Sequence, residues 1–461
     1  MKKTYSGLFI LFIIIGASAI GVYFYLQNNP EGSSDTISPN WIITPSNQFN
    51  REGNLFSYDV NASDAEGIDS YWVNDTSKFS INSNGLIDSI GTLNLGSYWL
   101  EIRAYDPSNN FCTATIKVIV EGYVRVYINS TIYGSIQTEI NQYKQDIGYK
   151  VSVINYSDTS AINLRGDLIA SQNLTFLGAV LVGDMPYLLY DNESVGDIDP
   201  PYPCDLLLMD LDGSIGDMTP VPDGDYDMHV DGLGDIFPEI WIGRINPECL
   251  NNLGVSHIQA YKDYFKRNHD YRAGVLTRPD QALLYIDNDW SNLQLAMYND
   301  FISSGYSTTN IYTPAVTNDT DYETNRLTNA SIEWVHVMVH SFSWQQQWGW
   351  TGDGSEGITT NTEINSIVTQ PLFYNLFSCS ACDISFTNNI GTQYLFSNNT
   401  LAVIGSTKTG GMWMISYFYT PLGQGKTIGE SFRLWWWNGL HGPSDIDSKG
   451  MILLGDPLLT K

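Results

Sequence analysis

Two segments of the sequence place reactive side chains directly after apolar runs. His340 follows Val335–Val339, and both Cys379 and Cys382 follow Leu372–Phe377. In parallel sheets, functional groups collect just past the carboxyl ends of the strands. A thiol and an imidazole at neighbouring strand ends can form a hydrogen bond, and the thiolate that results attacks a carbonyl carbon. The spacing therefore predicts nucleophilic catalysis by a cysteine–histidine pair. His336 points to the same side but lies in mid-strand, where we expect a histidine of the core.

Strands that alternate with helices must position this pair. Strands that are apolar throughout are buried on both faces, and helices between them indicate an α/β layered sheet that is mostly parallel. The expected strands are Tyr123–Ile128, Lys150–Ile154, Phe176–Val182, Ala282–Ile286, Trp334–Val339, Leu372–Phe377 and Leu401–Ile404, and the expected helices span about 136–147, 255–268 and 292–304.

Residues 41–121 show a different pattern, in which short alternating runs are separated by turn residues. Phe79–Ile81, Tyr98–Ala104 and Ala114–Val120 have the period of two that is typical of half-buried strands. The pattern predicts a small β-sandwich after a linker at 31–40. The order of these runs resembles cadherin-like immunoglobulin-fold modules, although the full set of acidic calcium motifs is missing. The resemblance implies a spacer.

The first thirty residues predict export. Lys2 and Lys3 precede an uncharged apolar run at 8–26, which is long enough as a helix to cross a bilayer. The lysines favour an orientation with all later residues outside. We expect a single-pass anchor at the cell membrane within residues 1–30, and a cleaved signal peptide with secretion is the alternative. Export agrees with nine N-x-S/T triplets, which begin at Asn61, Asn74, Asn129, Asn155, Asn173, Asn192, Asn318, Asn329 and Asn398.

The chain is strongly acidic, with 50 acidic and 22 basic residues and a net charge of −28. Such a surface repels phosphate backbones, which argues against nucleic acid as a partner. The acidic residues include a D-x-D-x-D run that brings hard oxygen ligands together, as calcium prefers. We expect a structural calcium ion and no organic cofactor, with the ligands drawn from Asp223, Asp225, Asp227, Asp231 and Asp235.

Several blocks in the correct order resemble the gingipain family of clan CD cysteine peptidases. V-H-V-M-V-H-S (335–341) and L-F-Y-N-L-F-S-C-S-A-C-D (372–383) are similar to the family's histidine and cysteine strand ends. Three further blocks are similar to other family segments, namely F-L-G-A-V-L-V-G-D (176–184), P-E-I-W-I-G-R-I (238–245) and G-D-P-L-L (455–459). The resemblance covers about 122–461 and implies a caspase/gingipain-like sheet with helices on both faces.

The resemblance also implies roles for individual residues. Cys382 matches the nucleophile and His340 the general base, and the N–H groups of Cys382 and Ser341 would form the oxyanion hole. An acidic residue orients the imidazole in the family. Asp289 is the first candidate for this role and Asp287 the second.

The chain departs from the family pattern around the histidine. Val339 and Ser341 flank His340 where the family usually has glycines, which puts activity in question. Asn292 falls near the place of the family's acidic specificity residue, so a preference for Arg or Lys does not follow. Cys379 is a second thiol that competes with Cys382 for the assignment.

Tryptophans follow the proposed base closely. Trp344 and Trp348 lie within eight residues of His340, in a loop that we expect to form a wall of the substrate cleft. The combined expectation is an extracellular, membrane-anchored endopeptidase that hydrolyses proteins or peptides through a thioester. The alternatives are a transpeptidase that acts on surface proteins and a catalytically inactive module for binding or adhesion.

Overall fold

The structure is a computed structural model that describes residues 35–173, 175–191, 199–218, 223–312, 316–438 and 448–461. The chain divides into two compact units. Unit 1 comprises the described residues of 1–48, together with 55–91 and 98–118, and unit 2 comprises 49–54, 92–97 and 119–461. The predicted membrane anchor at 8–26 lies outside the described residues. Within them, no helix combines the length and the apolar composition that a bilayer crossing requires.

The N-terminal part of the chain is a small β-sandwich. A three-stranded antiparallel sheet (β3–β7–β6) and a four-stranded sheet (β2–β9–β8–β5) contribute the buried side chains. Phe79 contacts Phe56 and Tyr98 through its ring, at centroid distances of 5.9 and 6.1 Å, and the second contact joins the two sheets. The strands are β1 (Asn40–Trp41), β2 (Gln48–Arg51), β3 (Ser57–Asp59), β4 (Ala62–Ser63), β5 (Ser70–Val73), β6 (Phe79–Ile81), β7 (Leu86–Ser89), β8 (Gly96–Tyr105) and β9 (Phe111–Glu121).

Unit 2 is built on one ten-stranded sheet. Its strand order is β11–β10–β12–β18–β27–β26–β25–β21–β19–β20. The strands are β10 (Tyr123–Asn129), β11 (Lys150–Tyr156), β12 (Phe176–Val182), β18 (Trp241–Ile245), β19 (Gln281–Ile286), β20 (Thr308–Tyr312), β21 (Trp334–Met338), β25 (Phe373–Phe377), β26 (Ala402–Ser406) and β27 (Met451–Gly455).

Alternate side chains of the central strands enter two separate apolar cores, one on each face of the sheet. In β12, Ala179 and Leu181 belong to one core, whereas Val180 and Val182 belong to the other. This alternation follows from the period of two in a strand. Because both cores need a cover, the apolar runs predict helices on both faces, and the structure has them.

Within the part of the chain that the structure describes, five α-helices contribute buried side chains to each core. The first core receives residues of Ala161–Ala170, Leu206–Met209, Gln294–Phe301, Ser416–Gly423 and Ile428–Asn438. The second receives residues of Ser130–Tyr133, Gln137–Asp146, His257–Arg272, Asn361–Ser366 and Ile390–Phe396. Helix His257–Arg272 begins at an N-cap, Ser256, whose side chain accepts a hydrogen bond from Gln259 N–H.

Asp456 of the G-D-P-L-L block ties two of these helices to the sheet. It is fully buried, and its carboxylate accepts hydrogen bonds from Tyr143 Oη (2.8 Å), Asn268 Nδ2 (2.8 Å) and Arg272 Nη2 (2.6 Å). A buried carboxylate is stable only when it is paired in this way. The G-D-P-L-L block therefore has a structural role, since its aspartate connects two helices to the sheet.

The sheet has one antiparallel junction, between β26 and β27. All other described neighbours in it are parallel, which agrees with the prediction of a mostly parallel sheet. The junction divides the sheet into two halves whose strands run in opposite directions. Strand β18 lies within the block at 238–245 that resembles a family strand, whereas β20 and β27 were not predicted from the sequence.

The remaining short strands lie in loops and hairpins. A three-stranded hairpin sheet follows β21 and comprises β22 (His340–Phe342), β23 (Gln345–Gln347) and β24 (Ile358–Thr360). The others are β13 (Leu189–Tyr190), β14 (Tyr202–Pro203), β15 (Ser214–Gly216), β16 (Asp225–Tyr226) and β17 (Met228–Val230).

Candidate active site

The histidine and cysteine strands are direct neighbours, as the sequence predicts. Strands β21 and β25 are parallel, and their last residues, Met338 and Phe377, stand opposite each other in the register. His340 and Cys379 each follow two residues later. Adjacent strands lie about 4.8 Å apart. The register therefore gives His340 and Cys379 equivalent positions beyond two adjoining strand ends, whereas Cys382 lies three residues further along the chain.

His340 is held by a carboxylate and an aromatic ring. Its Nε2–H donates to Asp289 Oδ2 over 2.7 Å, which agrees with the first choice from the sequence. The ring of Trp290 lies against the imidazole at a centroid distance of 4.5 Å. Asp289 and Trp290 both belong to the short 3-10 helix Asn288–Leu293. This pairing fixes the imidazole tautomer and leaves Nδ1 for a substrate.

Asp287, the second choice, has a different role. Its side chain is fully buried, and Oδ2 accepts a hydrogen bond from Gly349 N–H over 3.0 Å. Burial raises the pKa of Asp287 to about 6, with smaller contributions from the negative charges of Glu356 and Asp289. Asp287 thus anchors the loop after β23 and does not contact His340.

Cys382 is enclosed in the core. Its side chain is fully buried, and Sγ fills the space left by Gly391 and Gly405, where an added Cβ would collide with the sulfur. Burial raises the pKa of this thiol far above its ordinary value, and the charge of Asp383 adds to the shift. No hydrogen bond joins Cys382 to His340 within the described residues. This geometry does not support Cys382 as the nucleophile.

The backbone of Cys382 is also occupied. Its N–H donates to the carbonyl oxygen of Ser406 over 2.8 Å. An N–H group that is already bonded inside the core cannot face a developing oxyanion. The expectation that Cys382 N–H contributes to the oxyanion hole is therefore corrected.

Cys379 is the more accessible thiol of the pair. It is partly exposed, and it precedes Ser380, whose φ of +56° lies in the left-handed region. Burial raises the pKa of Cys379, and the negative charge of Asp199 also raises it, whereas the N–H groups of Gly410 and of Cys379 itself and the charge of Lys408 lower it. Burial dominates, so the thiol keeps its proton more tightly than a free cysteine does.

Ser341 connects the two strand ends. Its hydroxyl donates to the carbonyl oxygen of Cys379, and its side chain is buried. The residue that replaces a family glycine after His340 therefore fixes the distance between the histidine hairpin and the cysteine loop.

Comparison with known proteins settles the family. The model of peptidase family C25 matches residues 126–460, which is most of the chain. The chain belongs to peptidase family C25. It is accordingly a cysteine peptidase, a hydrolase. No curated protein sequence matches it.

Solved structures show the same fold. The C25 peptidase is similar to the Arg-specific cysteine proteinase gingipain R (RgpB), with a TM-score of 0.53 and 15% identity over 74% of this chain and 78% of that one. It is also similar to the complex of the Porphyromonas gingivalis RgpB pro- and mature domains, with a TM-score of 0.52 and 14% identity over 74% and 79%. The α/β fold of unit 2 is therefore gingipain-like.

The two predicted cleft tryptophans of the peptidase have different environments. Trp344 is 41% exposed on the surface beside β22. Trp348 is fully buried, contacts the rings of Tyr285 and Tyr322, and donates from Nε1 to Thr359 Oγ1 over 3.1 Å. The structure thus corrects the expectation for Trp348, which belongs to the core. His336 is a core histidine as expected, because its Nδ1 contacts Tyr419 Oη at 2.8 Å and burial lowers its pKa to about 3.

The aspartates of the predicted calcium site are spread over a surface loop of the peptidase. Asp223 and Asp231 are exposed, and Asp225, Asp227 and Asp235 are partly buried. A tighter set nearby comprises Asp210, Asp212 and Glu239, whose carboxylate oxygens lie within 4.8 Å of one another. Asp235 N–H donates to Asp212 Oδ1. Calcium stays a prediction for this region.

Several site residues were missed from the sequence. Trp290, Gly410 and Trp413 surround the strand ends, and the ring of Trp413 lies 4.6 Å from that of Phe377. In the structure, Cys379 and His340 each lie two residues past the end of their strands, whereas the predicted histidine strand ended at Val339, directly before His340. The equal offset therefore becomes visible only with the observed strand ends and register.

Proposed function

We propose that this C25 peptidase cleaves peptide bonds with Cys379 as nucleophile, His340 as general acid and base, and Asp289 as the residue that orients the imidazole. The observation that supports this assignment is the register of β21 and β25, which gives Cys379 and His340 equivalent positions past their strands. The buried position of Cys382 also supports Cys379 as the nucleophile.

The first step forms an acyl-enzyme. The Cys379 thiolate attacks the carbonyl carbon of the scissile bond, and the tetrahedral intermediate collapses to a thioester when the C–N bond breaks. His340, which has taken up the proton of the Cys379 thiol, gives that proton to the departing amine. No hydrogen bond joins His340 to Cys379 Sγ among the described atoms, so the peptide bond would lie between the two groups.

The second step is hydrolysis. His340, now neutral, takes a proton from water, and the hydroxide equivalent attacks the thioester carbonyl. The carboxylic acid product leaves, and the Cys379 thiolate is regenerated. Asp289 stabilises the imidazolium that is present before the first step and forms again during the second, because its carboxylate lies 2.7 Å from Nε2.

The oxyanion that develops in both steps needs N–H donors. The N–H groups of Gly410 and of Cys379 itself both act to lower the pKa of the Cys379 thiol, which makes them the candidates for this role. We propose that the Cys379 N–H is a donor of the oxyanion hole, a role that the family resemblance assigned to the Cys382 N–H. Ser341 supports it by holding the Cys379 carbonyl.

The test compares the two thiols in the full chain. Cys379→Ala and Cys382→Ala are prepared separately, and each is assayed with a library of internally quenched peptides and with an acyloxymethyl-ketone probe. We expect Cys379→Ala to abolish cleavage and labelling. We expect Cys382→Ala to retain both, since its thiol lies outside the site.

Loss of labelling in Cys382→Ala with retention in Cys379→Ala would overturn the assignment, provided that both variants show the circular dichroism spectrum of the wild type. If the wild type neither cleaves peptides nor reacts with the probe, the chain is a peptidase-like binding module instead.

We further propose that the peptidase acts outside the cell on protein or peptide substrates, anchored through residues 8–26. Support comes from the N-terminal lysines and apolar run, and from five exposed sequons at Asn61, Asn74, Asn155, Asn173 and Asn398. Treatment of intact cells with a membrane-impermeant biotin reagent should label the full chain. Labelling only after lysis would contradict this location.

A further inference from the structure

Three exposed aromatic side chains form a stack beside the candidate site. We define the aromatic ladder as Phe342, Trp344 and Phe386, which are 49%, 41% and 38% exposed. The rings of Phe342 and Trp344 lie 5.4 Å apart at 15°, and those of Trp344 and Phe386 lie 5.5 Å apart at 23°. Exposure of three stacked large rings has a cost in water, so such a surface marks a binding site.

Hydrogen bonds hold the two sides of the ladder in place. Ser343 lies in the turn after β22, and its carbonyl oxygen accepts a hydrogen bond from Ile390 N–H over 2.7 Å. Asn361 N–H donates to the Trp344 carbonyl over 2.9 Å. On the other side, Asp383 accepts from Ser385 N–H and from its hydroxyl, which shapes the turn that carries Phe386. The ladder is therefore preorganised, which lowers the entropy lost when a ligand binds.

The ladder is continuous with both catalytic segments. Phe342 lies two residues after His340 in β22, so the two side chains share one face of that strand. Phe386 belongs to the loop that continues from Cys379, and Ser343 Oγ donates to Asp383 Oδ2 over 3.5 Å between the two segments. One ring thus comes from the histidine hairpin and another from the cysteine loop.

The two-residue separation of His340 and Phe342 indicates where along a bound peptide the aromatic ladder lies. Two residues along a strand span about 7 Å, and an extended peptide advances by about the same distance in two residues. We propose that the aromatic ladder is a subsite that binds an apolar side chain of the peptide substrate, two residues from the bond that is cleaved. This inference rests on the proposed function.

Apolar and aromatic side chains are the ligands that suit this surface. Parallel rings offer flat apolar area, and an aromatic or aliphatic side chain laid against them removes that area from water. Trp344, in the middle of the stack, is the residue on which binding should depend most, since aromatic side chains at the centre of a contact dominate binding energy.

The test uses the full chain and two kinds of internally quenched peptide. Long peptides carry Phe, Leu, Gly or Asp two residues from the cleaved bond, on either side of it, and short peptides end before that position. We expect the wild type to prefer Phe and Leu over Gly and Asp by about tenfold in kcat/KM on one side.

Trp344→Ala should reduce this preference to about twofold, mainly through KM, and leave the short peptides unchanged. Trp344→Phe should retain most of the preference. Trp99→Ala is the matched control, because Trp99 is a tryptophan of unit 1 that is 62% exposed. It should change neither series.

The outcomes separate this inference from the proposed function. If the wild type cleaves short peptides but Trp344→Ala keeps the full preference in long ones, only the subsite is overturned. If no peptide is cleaved, the proposed function fails and the subsite fails with it. If Trp344→Ala changes the oligomeric state in light scattering and not the preference, the ladder is a contact between copies and the subsite is overturned.

Discussion

In the proposed mechanism, the carboxylate of Asp289 orients His340 through the hydrogen bond to Nε2. Asp289→Asn keeps the shape of the side chain but removes the charge that orients and stabilises the imidazolium. We expect kcat to fall by roughly 10²-fold or more, with little change in KM. Steady-state kinetics with one quenched peptide measures this effect.

Asp353→Asn is the control for Asp289→Asn, because Asp353 is an exposed carboxylate of the loop after β23. It should leave kcat unchanged. A wild-type kcat in Asp289→Asn would show that the 2.7 Å contact serves the fold and not the reaction.

The raised pKa of Asp287 leads to a prediction about how stability depends on pH. Its pKa is raised to about 6 by burial, so the folded state favours the protonated carboxyl and loses stability as the pH rises through that value. Asp287→Asn mimics the neutral form. We expect it to increase the free energy of unfolding at pH 8 by about 1–3 kcal/mol and to change it little at pH 4.

Urea denaturation of both proteins at the two pH values tests this expectation. An equal change at pH 4 and pH 8 would mean that the substitution acts through packing and not through ionisation of Asp287.

At the residue scale, the contact of His340 with the first acidic candidate, Asp289, could be predicted from the sequence, whereas the burial of Cys382 could not. His340 and Asp289 could be found because each follows a recognisable strand. Cys379 and Cys382 stand three residues apart after the same strand, and only the register of β25 with β21 and the packing of Gly391 and Gly405 separate them. Those contacts are long-range, so the local pattern does not contain them.

At the element scale, strand β26 and the cysteine loop are coupled through Cys382. A Cβ at Gly405 would lie 2.6 Å from Cys382 Sγ, and its next neighbours are at 3.5 Å. Gly405→Ala should therefore destabilise the protein by about 1–3 kcal/mol through overpacking. Cys382→Ala removes the sulfur, and the double variant should recover most of that loss.

A double-mutant cycle from urea denaturation measures the coupling of residues 382 and 405. Additive effects, with no recovery in the double variant, would contradict the packing described for Cys382.

The ion pair of Arg244 and Asp205 connects β18 to the helix Leu206–Met209. Both side chains are buried, and Arg244 donates from Nε and Nη2 over 2.8 and 2.7 Å to the two carboxylate oxygens. Asp205→Ala leaves a buried guanidinium without its partner and should cost about 3–5 kcal/mol.

The double variant Arg244→Met/Asp205→Leu removes both charges and should cost much less than Asp205→Ala, as measured by thermal unfolding. A double variant that is less stable than Asp205→Ala would show that the geometry of the pair, and not the unpaired charge, determines the loss.

The elements themselves were largely predictable. Phe176–Val182 has the predicted bounds, and the helix His257–Arg272 begins two residues later and ends four residues later than the predicted one. The hairpin β22–β23 was not predicted, because its Gln345–Gln347 strand has no apolar pattern. The residues at the end of β27 were interpreted from the sequence only as a family motif, and the strand was not predicted. Its central position depends on β26 and β18, which lie about fifty and two hundred residues away in the sequence.

At the scale of the whole molecule, the net charge of −28 predicts sensitivity to ions. Self-repulsion destabilises the compact state, and salt screens it. We expect NaCl to raise Tm. If the aspartate loop binds calcium, CaCl2 at equal ionic strength should raise Tm by several degrees more, because an ion that binds only the folded state stabilises it.

The same Tm measurement on Asp225→Asn and on Asp212→Asn shows which acidic set binds calcium, because the variant that lacks a ligand should lose the calcium-dependent increase. Asp225 belongs to the predicted site and Asp212 to the tighter set. Equal Tm values in NaCl, MgCl2 and CaCl2 at one ionic strength would contradict a calcium site.

The position of β27 also has a consequence for biosynthesis. This strand joins the two halves of the sheet, yet residues 451–455 are translated after every other strand of that sheet. A nascent chain on the ribosome therefore carries β26 with an open edge, and an open edge recruits other chains. Joining of the two halves of the sheet therefore waits until residues 451–455 have been translated.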